Sequence, residues 1–241
     1  MAKRLREALK IIRRTIFHPQ WHAFRRKNED MRHILSSLEG TILDVGCADS
    51  WVRRQLPENA SYISVDLPKT STDLYHTVPM VFANAQTLPI KDSSCDCVLL
   101  LDVLEHLPEP MSAIREIERI LKPGGKAVLQ IPFLYPTHDA PYDFTRWTQY
   151  GLEHIFQSAK LRLSSLEAIG SPAETAGLLA NIALAYSVLR WIERRNPLAV
   201  AVLLLPLIVP AINLLTWVMS KFSSDTDLMP FRYRLVLEKP R

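Results

Sequence analysis

From about residue 41 to residue 170 the chain alternates between short apolar runs and amphipathic stretches. The runs at 41–45, 62–66, 97–101, 126–131 and 161–168 read as strands, being rich in β-branched and other apolar residues. Val98, Leu99, Leu100 and Leu101 show no alternation, so that strand is expected to be covered on both faces, as in a parallel sheet. Between strands, residues 111–121 set Ile114, Ile117, Ile120 and Leu121 on one stripe of a helix. This βαβα order predicts an α/β doubly wound, Rossmann-like domain. At the end of the chain, "FRYRLVLEKP" alternates Phe231, Tyr233, Leu235 and Leu237 and predicts a last strand.

Two regions break this rhythm. Near the start, Leu5, Ala8, Leu9, Ile12 and Ile16 recur at helical spacing with basic residues between them, and Pro19 closes the pattern. Farther on, residues 175–189 carry no charge, "RWIERRNP" intervenes, and residues 196–220 again carry none. The expected organisation is a basic amphipathic region at 1–30, a core at 31–170, an apolar helical insert at 171–230 and the last strand at 231–241.

Charge sharpens the picture. Residues 1–27 hold nine lysines and arginines against Glu7, a net of +8, while the whole chain is +4, so the remainder is −4. A basic end of this kind fits either a helix packed on the domain or an interfacial helix on anionic lipid. No motif of a nucleic-acid module accompanies it, and no nucleic acid is expected as a partner. Cys47, Cys95 and Cys97 form no disulfide framework, which fits a reducing compartment, and no secretory signal pattern is visible.

In a doubly wound sheet, ligands sit at the carboxyl ends of the strands. "LDVGCADS" (43–50) ends the first strand with one glycine, Gly46, and has Ala48 and Ser50 where a glycine-rich loop has two more. Twenty positions on, "SVDLP" ends the second strand with Asp66, a carboxylate placed to accept hydrogen bonds from two ribose hydroxyls.

The segment "ANAQTLPIKDSSCDCVLLLDVLEHLPEPMSAIREIERILKPGG" resembles the middle of a class I S-adenosylmethionine-dependent methyltransferase (methyltransferase type 11-like), and the likeness runs from about residue 41 to 158. It implies a seven-stranded sheet whose last strand runs antiparallel between the fifth and sixth. S-adenosylmethionine is the implied cofactor, and no metal is expected. By the resemblance, Asp44 and the backbone around Gly46, Cys47 and Ala48 line the methionine part. Asp66 binds the ribose and Leu67 lies against the adenine. Asn84 stands where the family usually has aspartate and keeps an acceptor for the adenine edge, while the Ala85 amide meets a ring nitrogen. Leu101 and Asp102 end the fourth strand beside the sulfonium. Gly124 and Gly125 of "LKPGG" supply positive φ in the turn into the fifth strand. This cofactor has no pyrophosphate to press on the loop, so Ala48 is tolerable with negative φ and Ser50 is expected to cap the following helix.

After the fifth strand, "PFLYPTHDAPYDFTRWT" should overhang the transferred methyl. Methyl transfer is an in-line displacement that needs alignment and, for some nucleophiles, a base. His138 is the candidate base, Asp139 or Asp143 its orienter, and Tyr142 and Arg146 candidate acceptor contacts. The structural alternative is that Asp143 and Arg146 pin the loop while Phe144 and Trp147 anchor it in the core. Glu105 and His106 of "LEHLP" read as supports behind the pocket, with His106 also a candidate substrate contact. Asp96 lies at the wrong strand end for chemistry and reads as a turn residue.

The uncharged stretch 196–220 is long enough for a bilayer, which takes ~17–25 residues, but Pro206 and Pro210 interrupt it. A single crossing between two strands of one sheet would separate them across the membrane. Three placements remain: a two-pass hairpin, which would carry Arg194 and Arg195 across, a monotopic apolar surface, or a helical cap over the acceptor pocket. The monotopic placement is preferred. Together these features lead to the expectation of methyl transfer to an oxygen, carbon or nitrogen of a small-molecule, lipid or lipid-linked glycan acceptor, by a cytoplasmic enzyme peripheral on the membrane face. One rival is a methyltransferase-like binding protein without turnover that docks a partner through the insert. A nucleotide-dependent oxidoreductase is the other, and there the "LPI…DVLEHLPEP…LKPGG" series would have no role.

Overall fold

The computed structural model describes residues 12–157, 159–223 and 228–241. Its strands are β1 (Thr41–Val45), β2 (Ser61–Asp66), β3 (Val81–Phe82), β4 (Cys95–Leu101), β5 (Leu121–Pro132), β6 (Arg162–Ile169) and β7 (Arg232–Glu238). They form one seven-stranded sheet in the order β3-β2-β1-β4-β5-β7-β6. β1 pairs in parallel with β2 and β4, β4 with β5, and β2 with β3, whereas β7 runs antiparallel to β5. The order therefore reverses between β1 and β4, which puts a crevice at their carboxyl ends. The two-residue β3 was not among the strand runs read from the sequence.

The helices are α1 (Trp21–Ser36), α2 (Pro110–Ile120), α3 (Gln149–Gln157), α4 (Pro172–Glu193) and α5 (Leu205–Ser220). Two compact units emerge. One takes in Met31–Phe133, Thr137–Glu167 and Arg232–Arg241, and the other Leu134–Pro136, Ala168–Phe231 and the described part of Met1–Asp30.

In the first unit, β4 is buried along nearly its whole length, as its unbroken apolar run requires. Met31 and Leu35, one helical turn apart, pack with Ile42, Val52, Leu99 and Val128 on one side of the sheet. The stripe of α2 is buried through Ile114, Ile117 and Ile120. Asp96 does structural work at the amino end of β4, accepting from the Thr41 amide (2.8 Å) and Lys122 Nζ (2.7 Å). "LKPGG" is not a turn outside the strand. It is an irregularity within β5, where pairing jumps from Cys95↔Leu121 to Cys97↔Lys126. Gly124 has φ +81°, but Gly125 does not adopt positive φ as expected. Gly125 is needed because a Cβ there would lie 2.9 Å from the Lys122 carbonyl oxygen.

In the second unit, most of the basic helix expected before Pro19 lies outside the described residues, and residues 12–20 form turns that lead into α1. α4 opens with a reciprocal cap: the Glu174 amide donates to Ser171 Oγ, and the Ser171 amide to Glu174 Oε2. Glu174 is fully buried and receives Arg25 Nη2 at 2.6 Å and Arg26 Nη2 at 3.1 Å. Two of the cations expected to face a polyanion are thus committed inside the fold. α4 and α5 approach closely because Gly177 has no side chain; a Cβ there would sit 2.6 Å from Thr216 Oγ1. Asn181 Nδ2 donates to Asn213 Oδ1 (2.9 Å), and Asn213 Nδ2 to the carbonyl oxygens of Ile16 (2.6 Å) and His18 (3.0 Å). A 3-10 segment, Pro197–Leu204, precedes α5, so Pro206 falls in the first turn of α5, where its missing N–H costs little; Pro210 lies inside the helix.

Candidate functional site

The carboxyl ends of β1, β2, β4 and β5 supply the groups of the site. At the tip of β1, the amides of Gly46 and Cys47 both donate to the Val65 carbonyl oxygen, at 2.8 and 3.2 Å, tying the loop back to β2. Gly46 has φ +74°, and a Cβ there would run into Val103 Cγ2. Its glycine is therefore required by a residue just beyond β4, not only by a ligand. Ala48 and Ser50 depart from expectation. Both adopt left-handed backbone, with φ +49° and +52°. Ser50 makes no side-chain cap, and it leads into a five-residue 3-10 turn, Trp51–Gln55. The loop thus keeps a glycine-type backbone at non-glycine residues.

Asp66 ends β2 and is 5% exposed. Its Oδ2 accepts from the Ala48 amide at 3.0 Å and its Oδ1 from the Leu67 amide at 2.7 Å. Burial pushes its pKa up, and the two amides work against that shift. Asp44 is buried and accepts from Tyr62 Oη at 2.7 Å. Burial pushes the Cys47 thiol up to about 11, so it is no nucleophile near neutrality. Leu67 is exposed, as an adenine-facing residue needs to be. Asn84 is also exposed, but its Oδ1 accepts from the Gln86 amide at 2.9 Å, closing a local turn around buried Ala85. One lone pair of that oxygen is thereby taken by the chain itself, and one remains for a ligand.

Leu101 is buried at the end of β4, and Asp102 follows with φ +58°. The Asp102 amide donates to the Gln130 carbonyl oxygen (2.8 Å), and Gln130 Nε2 donates to both carboxylate oxygens, at 3.1 and 3.0 Å. Gln130 therefore fixes a carboxylate for which the sequence pattern offered no holder. Tyr75 is a further residue missed by sequence reasoning. It belongs to no motif and is 40% exposed, yet its phenol is pushed up to about 12 by partial desolvation and then by the charges of Asp139, Asp66 and Asp102.

The loop after β5 folds over the turn after β4. The Phe144 amide donates to the Glu105 carbonyl oxygen at 2.9 Å, and His106 Nδ1 lies 2.7 Å from the Tyr142 carbonyl oxygen. His138 Nδ1 is 3.1 Å from Asp143 Oδ2, and the His138 amide donates to the same oxygen at 2.9 Å. Asp143 is thus the orienter; Asp139, at φ +49°, instead stands 4.0 Å from His106 Nε2. Burial raises the Asp143 pKa, but Arg146 and the His138 amide outweigh it and hold the carboxyl at about 2. Arg146 grips Asp143 with both terminal nitrogens, Nη2 at 2.7 Å, so it pins the loop and does not offer its fork to an acceptor. Phe144, by contrast, is 49% exposed and no core anchor. Tyr142 Oη accepts from Lys69 Nζ at 2.9 Å and is half exposed. Glu105 is fully buried between the two histidines.

The family described as "Methyltransferase domain" matches residues 43–129, from within β1 to within β5. The chain carries a class I S-adenosylmethionine-dependent methyltransferase domain. Among similar curated proteins, a ubiquinone/menaquinone biosynthesis C-methyltransferase of Hahella chejuensis is 39% identical over 25% of this chain and 24% of the relative. A ubiquinone biosynthesis O-methyltransferase of Alkalilimnicola ehrlichii is 30% identical over 39% of this chain and 42% of the relative. The chain therefore spans less than half the length of the curated relatives it matches. Among solved structures, phosphoethanolamine N-methyltransferase 2 of Haemonchus contortus superposes with a TM-score of 0.54 at 16% identity, over 90% of this chain and 53% of that one, a likeness of fold.

S-adenosylmethionine is the cofactor of this methyltransferase domain. The residues present fit it. Asp66 presents a carboxylate with spare acceptor capacity, fixed by two amides at a strand tip, and the loop at Gly46–Ala48 is held against it by the Ala48 amide.

Proposed function

We propose that this methyltransferase acts on a small-molecule, lipid or lipid-linked acceptor at the cytoplasmic face of a membrane. S-adenosylmethionine, when bound, supplies an electrophilic methyl group on a sulfonium. Asp66 holds the ribose, Leu67 faces the adenine, and the Ala85 amide meets the ring edge. Asp44, Gly46, Cys47 and Ala48 flank the methionine part, with Leu101 and Asp102 closing that side. Over this floor, Asp143 orients His138 through Nδ1, and Nε2, which faces Glu105 at 3.7 Å, draws the proton from an acceptor hydroxyl. Tyr142 and His106 border the same loop and are the acceptor contacts. Two of the curated relatives carry names in ubiquinone biosynthesis, which supports a small-molecule acceptor.

The observation that carries the membrane part is the inverted polarity of α5. Its buried stripe is Val209, Asn213 and Thr216, two of the three polar, while Leu207, Leu214, Leu215 and Val218 are exposed. A helix packed on a water-soluble domain has the reverse polarity. The stretch Pro197–Ser220 is long and apolar enough to cross a membrane, and only 11% of its 18-residue apolar window is buried. Leucines facing outward with an asparagine and a threonine facing inward are at home in the acyl region of one leaflet.

The test is methyl transfer from labelled S-adenosylmethionine into a fractionated membrane extract, alongside flotation with anionic liposomes. Label in the lipid fraction, with S-adenosylhomocysteine formed and protein floating, is the expected result. Protein that stays wholly soluble removes the membrane reading. Cofactor bound with no S-adenosylhomocysteine formed favours the binding-protein rival.

A further inference from the structure

The turn after β4 and the loop after β5 bring together three side chains whose arrangement the proton-transfer role leaves unexplained. Glu105 is fully buried, and neither of its carboxylate oxygens has a hydrogen-bond partner among the described residues. A buried carboxylate without a partner is costly to keep. Two imidazoles face it: His106 Nε2 and His138 Nε2 each lie 3.7 Å from Glu105 Oε1. The rings meet edge-on, with centroids 4.8 Å apart.

The other nitrogen of each ring is turned to an acceptor. His106 Nδ1 lies 2.7 Å from the Tyr142 carbonyl oxygen, which accepts no bond from that ring unless Nδ1 carries the proton. His138 Nδ1 lies 3.1 Å from Asp143 Oδ2. Arg146 Nη2 also approaches His138 Nδ1, at 3.4 Å, and would require the opposite tautomer. That guanidinium is already bonded to Asp143, and the shorter contact to the carboxylate decides the tautomer. A proton on Nδ1 of each neutral ring fits these contacts and makes Nε2, 3.7 Å from Glu105 Oε1 in both, the ligand atom. An Nδ1–H held by a carbonyl or a carboxylate is the arrangement that orients histidines bound to a metal through Nε2.

We propose that Glu105, His106 and His138 form a binding site for a divalent transition-metal cation, through one carboxylate oxygen and the two Nε2 atoms. One ligand atom from each of the three residues lies within 4.8 Å of the others. Metal bonds of about 2.0–2.1 Å set tetrahedral ligands roughly 3.3 Å apart, so the two 3.7 Å spacings to Glu105 close with a shift of a few tenths of an ångström. The two imidazole nitrogens, within 4.8 Å of each other, close by turning the rings. Two imidazoles and one carboxylate suit zinc, iron(II), cobalt or manganese, not magnesium or calcium, which prefer all-oxygen sets. Three protein ligands leave coordination positions open, and an acceptor oxygen is the natural occupant. The site goes beyond the proposed function and does not depend on it. With a cation in place, His138 Nε2 serves as a ligand, and the acidity of a coordinated hydroxyl replaces direct proton transfer to that nitrogen.

The test is titration of the chelator-stripped full chain with cobalt(II), followed by visible absorption, with zinc competition against a chromophoric chelator. One equivalent of cobalt with the intense bands of a four- or five-coordinate ion is the expected result. Glu105→Gln and His106→Ala should each weaken binding more than about 100-fold, and Asp143→Asn about 10- to 100-fold by releasing the orientation of His138. S-adenosylmethionine binding by calorimetry, retained in His106→Ala, reports that the fold is intact. Wild-type protein that binds S-adenosylmethionine but takes up no cobalt would overturn the proposal, as would equal cobalt uptake by the variants. Cobalt uptake without S-adenosylmethionine binding would leave the metal site standing and remove the methyl-transfer reading instead.

Discussion

The carboxylate of Asp66, at the end of β2, accepts a hydrogen bond from the amide of Ala48, beyond the end of β1, at 3.0 Å. That contact joins the carboxyl ends of two neighbouring, paired parallel strands and fixes one wall of the crevice that opens between β1 and β4. The loop after β1 is held in place, and each carboxylate oxygen takes one backbone amide. A group poised this way can take two further donors without moving, and a ribose with vicinal hydroxyls offers two.

Replacing Asp66 by alanine should weaken S-adenosylmethionine binding about 10- to 100-fold, because hydrogen bonds to a charged group contribute about 1.5–3 kcal/mol. Asp66→Asn, which keeps one oxygen acceptor, should lose less. Calorimetric titration decides it, and affinity unchanged in the alanine variant would take Asp66 out of the cofactor site.

Ala48→Gly should behave unusually for an alanine-to-glycine change. Left-handed backbone costs a non-glycine residue about 1–2 kcal/mol, whereas the extra freedom of glycine in the unfolded chain costs about 0.5–1 kcal/mol. The variant should be as stable as the wild type or more stable by up to about 1 kcal/mol in urea unfolding. A clear loss of stability would mean that Ala48 does not hold positive φ in solution.

The parts of this molecule that were legible from sequence are those governed by periodicity. The unbroken run Val98–Leu99–Leu100–Leu101 and the stripe Ile114–Ile117–Ile120 led to a buried parallel strand and its covering helix, and both are as expected. The antiparallel last strand came from the resemblance and from the alternation ending at Leu237. The properties that escaped are set by contacts between distant segments. Nothing local says that Ala48 is left-handed; the Ala48 amide is drawn to Asp66, eighteen residues on. The Asn84 oxygen also closes a turn on the Gln86 amide, two residues along, a contact that no motif announced. For Arg146 the sequence left two roles open, acceptor contact or a loop-pinning partner of Asp143, and the structure gives it the second. The facing of His106 and His138 could not be read at all, since they lie on loops after different strands. A spacing rule sees neither loop closure nor tautomer.

Glu174 provides a pH test of the helical unit. Burial alone would raise its pKa, but His22, Arg26 and the Ser171 amide hold it well below the usual glutamate range. A carboxyl depressed in the folded state contributes stability above its unfolded pKa, about 4.3, and loses it as pH falls toward the folded value. Thermal unfolding should therefore show full stability near neutrality and a decline below about pH 4.3. Glu174→Gln removes this dependence and leaves Arg25 and Arg26 facing a neutral amide. Breaking a fully buried pair costs about 3–5 kcal/mol; the arginine side chains are 20% and 25% exposed, which lowers the expected loss at neutral pH to about 2–3 kcal/mol. At about 1.4 kcal/mol per pH unit, the difference between wild type and variant should narrow steadily as pH falls below about 4.3. It closes only once Glu174 is protonated in the folded state, where glutamic acid and glutamine present the arginines with equally neutral partners. If acid unfolding keeps the same slope in the variant, the charge on Glu174 is not what ties α1 to α4.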